Sequence, residues 1–170
     1  MTARKPVIAA IALAATAATL LTGAARASAE PATVGHTPGS AAGNPQIDCR
    51  GWLRPHPHIV TDAKPIYQLA GGSWTGEVHV TLWRGLTSTG PHYWATLTGK
   101  TRPGDAVWMD VNVKNGGGWH QCGPFGVGSH DQTISSPMGH DLHFHAFRAC
   151  GRHNNDSGCT SDYYPGISRR

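Results

Sequence analysis

Three stretches of the chain alternate apolar and polar residues. Glu77 to Arg84 sets Val78, Val80 and Leu82 on one side; His92 to Thr98 does the same with Tyr93, Ala95 and Leu97. Ala106 to Val113 aligns Val107, Met109, Val111 and Val113. A period of two is that of a strand with one buried face. Ser88-Thr89-Gly90-Pro91, Arg102-Pro103-Gly104-Asp105 and Asn115-Gly116-Gly117-Gly118 lie between and after these runs, and each reads as a turn. Short turns joining consecutive strands predict an antiparallel meander. Trp119–Cys122 and Leu142–Ala149 add two further strands, while Ile47–Leu53 and Ile66–Ala70 fit the pattern less well. Residues 123–139, rich in Gly, Ser and Pro, read as a long surface loop. After residue 29 no stretch carries a long 3.6-residue apolar period. The expected class is all-β, a small antiparallel sandwich or a partly open barrel, and the pattern leaves both open.

The first 29 residues follow another logic. Met1-Thr2-Ala3-Arg4-Lys5 is basic, Val7 to Leu21 is uninterrupted apolar chain, and Ala27-Ser28-Ala29 ends a run of small residues. That order is a secretory signal peptide, with Ala25-Arg26-Ala27 as a second possible cleavage site. The apolar run is short of the roughly 20 residues that span a bilayer. Residues 30–46 hold Ala, Gly, Pro, Thr and Ser with almost no large apolar residue, and read as a flexible arm before a single β domain at 47–170. No second long apolar run follows, so the mature chain is expected outside the cell with no membrane attachment.

Removing residues 1–29 changes the charge. Of 14 Lys and Arg, Arg4, Lys5 and Arg26 are lost, leaving 14 − 3 = 11 against 10 acids, or +1. The remaining cations form no stripe, so nucleic acid is not an expected partner. The four cysteines all lie in the mature part, as two disulfides in an oxidising compartment would require. Three pairings are possible. Gly151, Asn154, Asn155 and Gly158 let the chain turn back between Cys150 and Cys159, which favours that bridge and leaves Cys49 with Cys122.

Two sets of side chains are candidates for chemistry. Trp83, Trp94 and Trp108 have the parity opposite to the aliphatic residues of their strands. If the three strands pair in order, the indoles form one outer face on which sugar rings stack; otherwise they make a second packing layer. Eleven histidines follow the signal peptide, five of them in two local groups, His56-Pro57-His58 and His140 to His145. On a strand, Asp141, His143 and His145 would share a face, a donor set suited to Zn²⁺ or Cu²⁺; a solvated strand face is the plainer alternative. No G-x-S-x-G or H-E-x-x-H motif is present, so no catalytic residues or resident cofactor are expected. Asn155-Asp156-Ser157 is a glycosylation triplet that a bacterial exporter would leave unused.

Val78-His79-Val80-Thr81-Leu82, Tyr93-Trp94-Ala95, Pro103-Gly104-Asp105-Ala106-Val107-Trp108, Trp119 to Phe125 and Phe147-Arg148-Ala149-Cys150 together resemble small secreted actinobacterial β proteins without assigned activity. The resemblance covers roughly residues 77–159 and implies a fold type and a habitat but no catalytic residue. The function expected is extracellular binding, with cell-surface polysaccharide as the first ligand. A protease inhibitor presenting the 123–139 loop is the alternative, and a metal-dependent hydrolase built on Asp141, His143 and His145 comes third.

Overall fold

Val78, Val80, Leu82, Ala95, Leu97, Val107, Met109 and Val111 are completely buried, so the alternating faces become the core. They do so in a computed structural model that describes residues 44–69 and 76–166. The segments read as signal peptide (1–29) and most of the arm (30–43) lie outside the described residues. Among the described residues there is no α-helix and no helix long and apolar enough to cross a membrane.

Among the described residues nine strands build two antiparallel sheets. The first contains β1 (Thr61–Gln68), β2 (Val78–Thr87) and β3 (Gly90–Gly99), with the two-residue strands β6 (Ile134–Ser135) and β7 (Gly139–His140) both paired to β3. The second runs β5 (Gly118–Gly126), β4 (Ala106–Val113), β8 (Phe144–His153), β9 (Asp156–Cys159). Their apolar faces meet as a sandwich, not closed into a barrel. The sheets approach closely at Gly151, where a Cβ would collide with Val80 of the facing sheet. Tyr93 and Phe147 stack across the core at 4.3 Å.

Both disulfides take the favoured pairing. Cys150 and Cys159 are register partners on β8 and β9, and the strands turn at Asn154 and Asn155, both with positive φ, as a two-residue hairpin loop needs. Cys49–Cys122 spans 73 residues and ties the N-terminal segment to β5.

The structure corrects the sequence reading in several places. β4 does not continue the β2–β3 meander: residues 100–105 carry the chain across to the other sheet. Ile47–Leu53 is not a strand; only Gln46 bridges β5, through Gln121. The segment 44–46, assigned to the arm, runs along β5, where Gln121 N–H donates to the Pro45 carbonyl and Ile47 N–H to that of Gln121. Those two bonds cover the open sheet edge at Gln121. Asp141–His143 is a turn, and β8 starts at Phe144. Residues 123–139 complete β5 and then add β6 and β7; Ser136 to Gly139 is buried, and exposure concentrates at Gly128 to Asp131.

Candidate functional site

Ile47 and Trp52 of the N-terminal segment pack against the core, and three covalent or backbone links pin it further. They are the Cys49–Cys122 bridge, the bonds to β5, and Met138 N–H donating to the Leu53 carbonyl at 2.7 Å. Trp52 N–H donates to the Cys49 carbonyl, which closes a turn and aims the indole at Phe144, with ring centroids 5.2 Å apart. Gly139 makes room for it: a Cβ there would sit 3.0 Å from Met109 and Phe147 and 3.3 Å from the Trp52 ring.

Between this segment, the β2–β3 turn and the β7–β8 turn lies a groove of about 770 Å³, within the usual span of ligand sites. Trp52, Leu53 and Phe144 give it apolar walls, and Leu142, 69% exposed, stands at its lip. His92, His140 and His143 supply the polar groups. Among the described residues no Asp, Glu, Lys or Arg side chain lines it.

The histidines are held unequally. His92 and His140 are register partners on β3 and β7, packed edge to face at 4.6 Å. His92 Nδ1 lies 3.0 Å from the Gly90 carbonyl and 3.2 Å from Thr87 Oγ1. Burial pushes its pKa below the ordinary histidine range, partly opposed by the bond to Gly90, while His140 adds to the lowering. His140 Nε2 donates to the Thr89 carbonyl at 2.8 Å, and its Nδ1 accepts the Leu142 N–H at 2.9 Å. Those two bonds together define the neutral Nε2–H tautomer. Asp141 Oδ1, 3.1 Å from the same Nδ1, gains a partner only when that nitrogen is protonated. Lys114 Nζ braces the turn by donating to the Asp141 and Leu142 carbonyls.

The three tryptophans are not brought together. Trp83 and Trp94 are register partners in the first sheet, stacked within 9° of parallel at 6.2 Å, with Trp83 Nε1 donating to Thr96 Oγ1. Trp108 faces outward from the second sheet and packs on the Cys150–Cys159 bridge. Trp94 and Trp108 are each only 5% exposed. The crossover after β3 puts Trp108 on the opposite side of the sandwich from Trp83 and Trp94, so the three indoles share no face.

Nor do Asp141, His143 and His145 converge on a metal. The turn at 141–143 breaks the strand parity that would align them, and His145 packs edge-on against Tyr164. Among the described residues the one group with metal-ligand spacing is Asp110, Cys150 and Cys159, and both its sulfurs belong to a disulfide. His56 and His58 pack at a tilt, 4.9 Å apart, on an exposed loop, and neither lines the groove.

The outer face of the second sheet holds a buried ion pair. Asp110 Oδ2 accepts from Arg148 Nε at 3.0 Å, from Arg148 Nη2 at 2.8 Å and from Asn44 Nδ2 at 2.9 Å. Burial raises the Asp110 pKa, and the Arg148 bonds work against that rise. Arg148 also lies 4.4 Å over the Trp119 ring.

No protein-family model, no curated protein and no solved structure matches this chain. The fold and groove thus define it by themselves as a doubly disulfide-bridged antiparallel β-sandwich with an uncharged, histidine-bearing groove at one end.

Proposed function

We propose that the chain is exported and acts outside the cell as a non-enzymatic binding module whose site is the Trp52–Leu142 groove. The ligand class is a neutral polysaccharide. The observation that carries this reading is the lining: apolar and aromatic walls, three imidazoles and Thr89 as the polar residues, and no formally charged side chain among the described residues. An anionic or cationic ligand would find no counter-charge there and would lose its hydration without compensation. A neutral sugar fits better. Its C–H face matches the Trp52 ring, and its hydroxyls match His92 and His143. His140 serves as scaffold, since both its ring nitrogens are engaged. Two disulfides suit an oxidising compartment and support action outside the cell.

Sedimentation of the oxidised mature protein with two neutral insoluble polymers, chitin and cellulose, tests the reading. Retention by at least one polymer is expected, with affinity reduced tenfold or more in Trp52→Ala and unchanged in Trp83→Phe. No retention by any polymer, or full retention by folded Trp52→Ala, refutes it.

A further inference from the structure

Two smaller hollows adjoin the groove and share walls with it. One, of about 390 Å³, lies at the β4–β5 turn, with Asn112, Asn115 and His145 in its lining. The other, of about 230 Å³, reaches from Asp141 past His145 to Pro165 and Gly166. Val113 borders both the groove and the first hollow, and Leu142 and Phe144 border both the groove and the second. Lys114 and His145 border both hollows. Walls held in common make the three neighbours, with Trp52 at one extreme and Asn115 at the other.

The divide between groove and hollows is an apolar side chain on a braced turn. Leu142 is 69% exposed, and Leu53, also in the groove lining, is 50% exposed. Four hydrogen bonds fix the turn that carries Leu142. Its own N–H donates to His140 Nδ1 at 2.9 Å, His143 N–H donates to the His140 carbonyl at 3.3 Å, and Lys114 Nζ donates to the Asp141 and Leu142 carbonyls. A single exposed leucine is ordinary, but one fixed between recesses extends the apolar surface that begins at Trp52.

The polar chemistry changes beyond Leu142. Asn112, Asn115 and His145 make no side-chain hydrogen bond among the described residues, and Asn115 and His145 are exposed. An amide and a neutral imidazole each donate and accept, as a hydroxyl does, so these three groups match hydroxyls in place of an ion. Lys114 and Asp141 contribute one charge of each sign, which leaves no net charge to select an ionic ligand. Two of the three ammonium hydrogens of Lys114 are already spent on the turn.

We infer that the ligand is an extended, uncharged oligosaccharide and not a single sugar or disaccharide. One part of the chain sits in the groove against Trp52, the next crosses Leu142, and the sugars beyond it are hydrogen-bonded by Asn112, Asn115 and His145. This inference rests on the groove reading and adds chain length as the property that the protein selects.

Titration calorimetry of the oxidised mature protein with cellobiose, cellohexaose, chitobiose and chitohexaose tests it. In the series that binds, the hexasaccharide should bind roughly tenfold more tightly than the disaccharide. A longer chain also offers more registers to a short site, so a variant carries the decision. Asn112→Ala/His145→Ala replaces two polar side chains outside the core, and an unchanged melting temperature would show that the fold survives. It should shrink the affinity ratio of hexasaccharide to disaccharide to about threefold or less. A folded variant that keeps the full ratio, or equal affinities for the two lengths in the unaltered protein, overturns this inference and leaves the groove reading standing. No binding of any of the four sugars, together with no retention by chitin or cellulose, overturns both.

Discussion

Removing the two disulfides one at a time should separate a global effect from a local one. The chain-entropy relation gives a loop of 73 residues about 4.4 kcal/mol and a loop of 9 residues about 2.6 kcal/mol. Cys49→Ala/Cys122→Ala should therefore cost about 2 kcal/mol more than Cys150→Ala/Cys159→Ala in denaturant unfolding monitored by tryptophan fluorescence. The structure adds a second distinction. Cys49 anchors the segment that supplies Trp52 and Leu53 to the groove, whereas Cys150–Cys159 supports Trp108 on another face. Loss of the first bridge should abolish polymer retention even where the domain is still folded, and loss of the second should leave retention intact. Equal costs for the two pairs would refute the loop-length reasoning. Retention surviving loss of Cys49–Cys122 would show that the groove wall does not need its covalent tie.

Two further predictions concern buried charge and acid. Arg148→Ala strands the Asp110 carboxylate and should cost about 3–5 kcal/mol at pH 7; part of that should return at pH 4.5, as Asp110 takes up a proton, when unfolding is measured at both pH values. His92 is buried with a lowered pKa, so the unfolded chain binds its proton more readily. Its contribution is complete above the ordinary histidine pKa of about 6.5 and is lost as pH falls below it; the melting temperature should drop between pH 7.5 and 5, and His92→Gln should flatten that slope.

Much of the fold was legible because strand parity is a local property. Val78, Val80 and Leu82 on β2, and Val107, Met109 and Val111 on β4, had to share a face once each segment was extended, and the buried set follows directly. Sheet membership was not legible. Residues 100–105 resemble the turn chemistry that joins β2 to β3, yet they cross the sandwich, and nothing local distinguishes a hairpin from a crossover. That one ambiguity made the indoles of Trp83, Trp94 and Trp108 look like a single surface. The groove was hidden for a related reason: Trp52, His92 and His140 come from three distant segments, joined by a disulfide and by a two-residue strand too short to announce itself. One signal was available in Trp52 itself, a large aromatic three residues after a cysteine whose bridge pins that segment to the core. The His140-Asp141-Leu142-His143 run also marked the right place, but through a turn held by Lys114 and not through a strand face.

The disulfide pairing has a mechanical consequence. A pull applied at residue 44 and at residue 166 passes from Cys49 straight to Cys122, and later from Cys150 straight to Cys159. Between those bridges only residues 123–149 can be drawn out, 149 − 123 + 1 = 27 residues, or roughly 95 Å of chain. Once β8 has been drawn off β4, the Cys49–Cys122 loop, which holds β1 to β4, carries none of the load. A domain held at one end to a surface and at the other to a moving partner would therefore yield a short, fixed extension and then hold as a covalent tether.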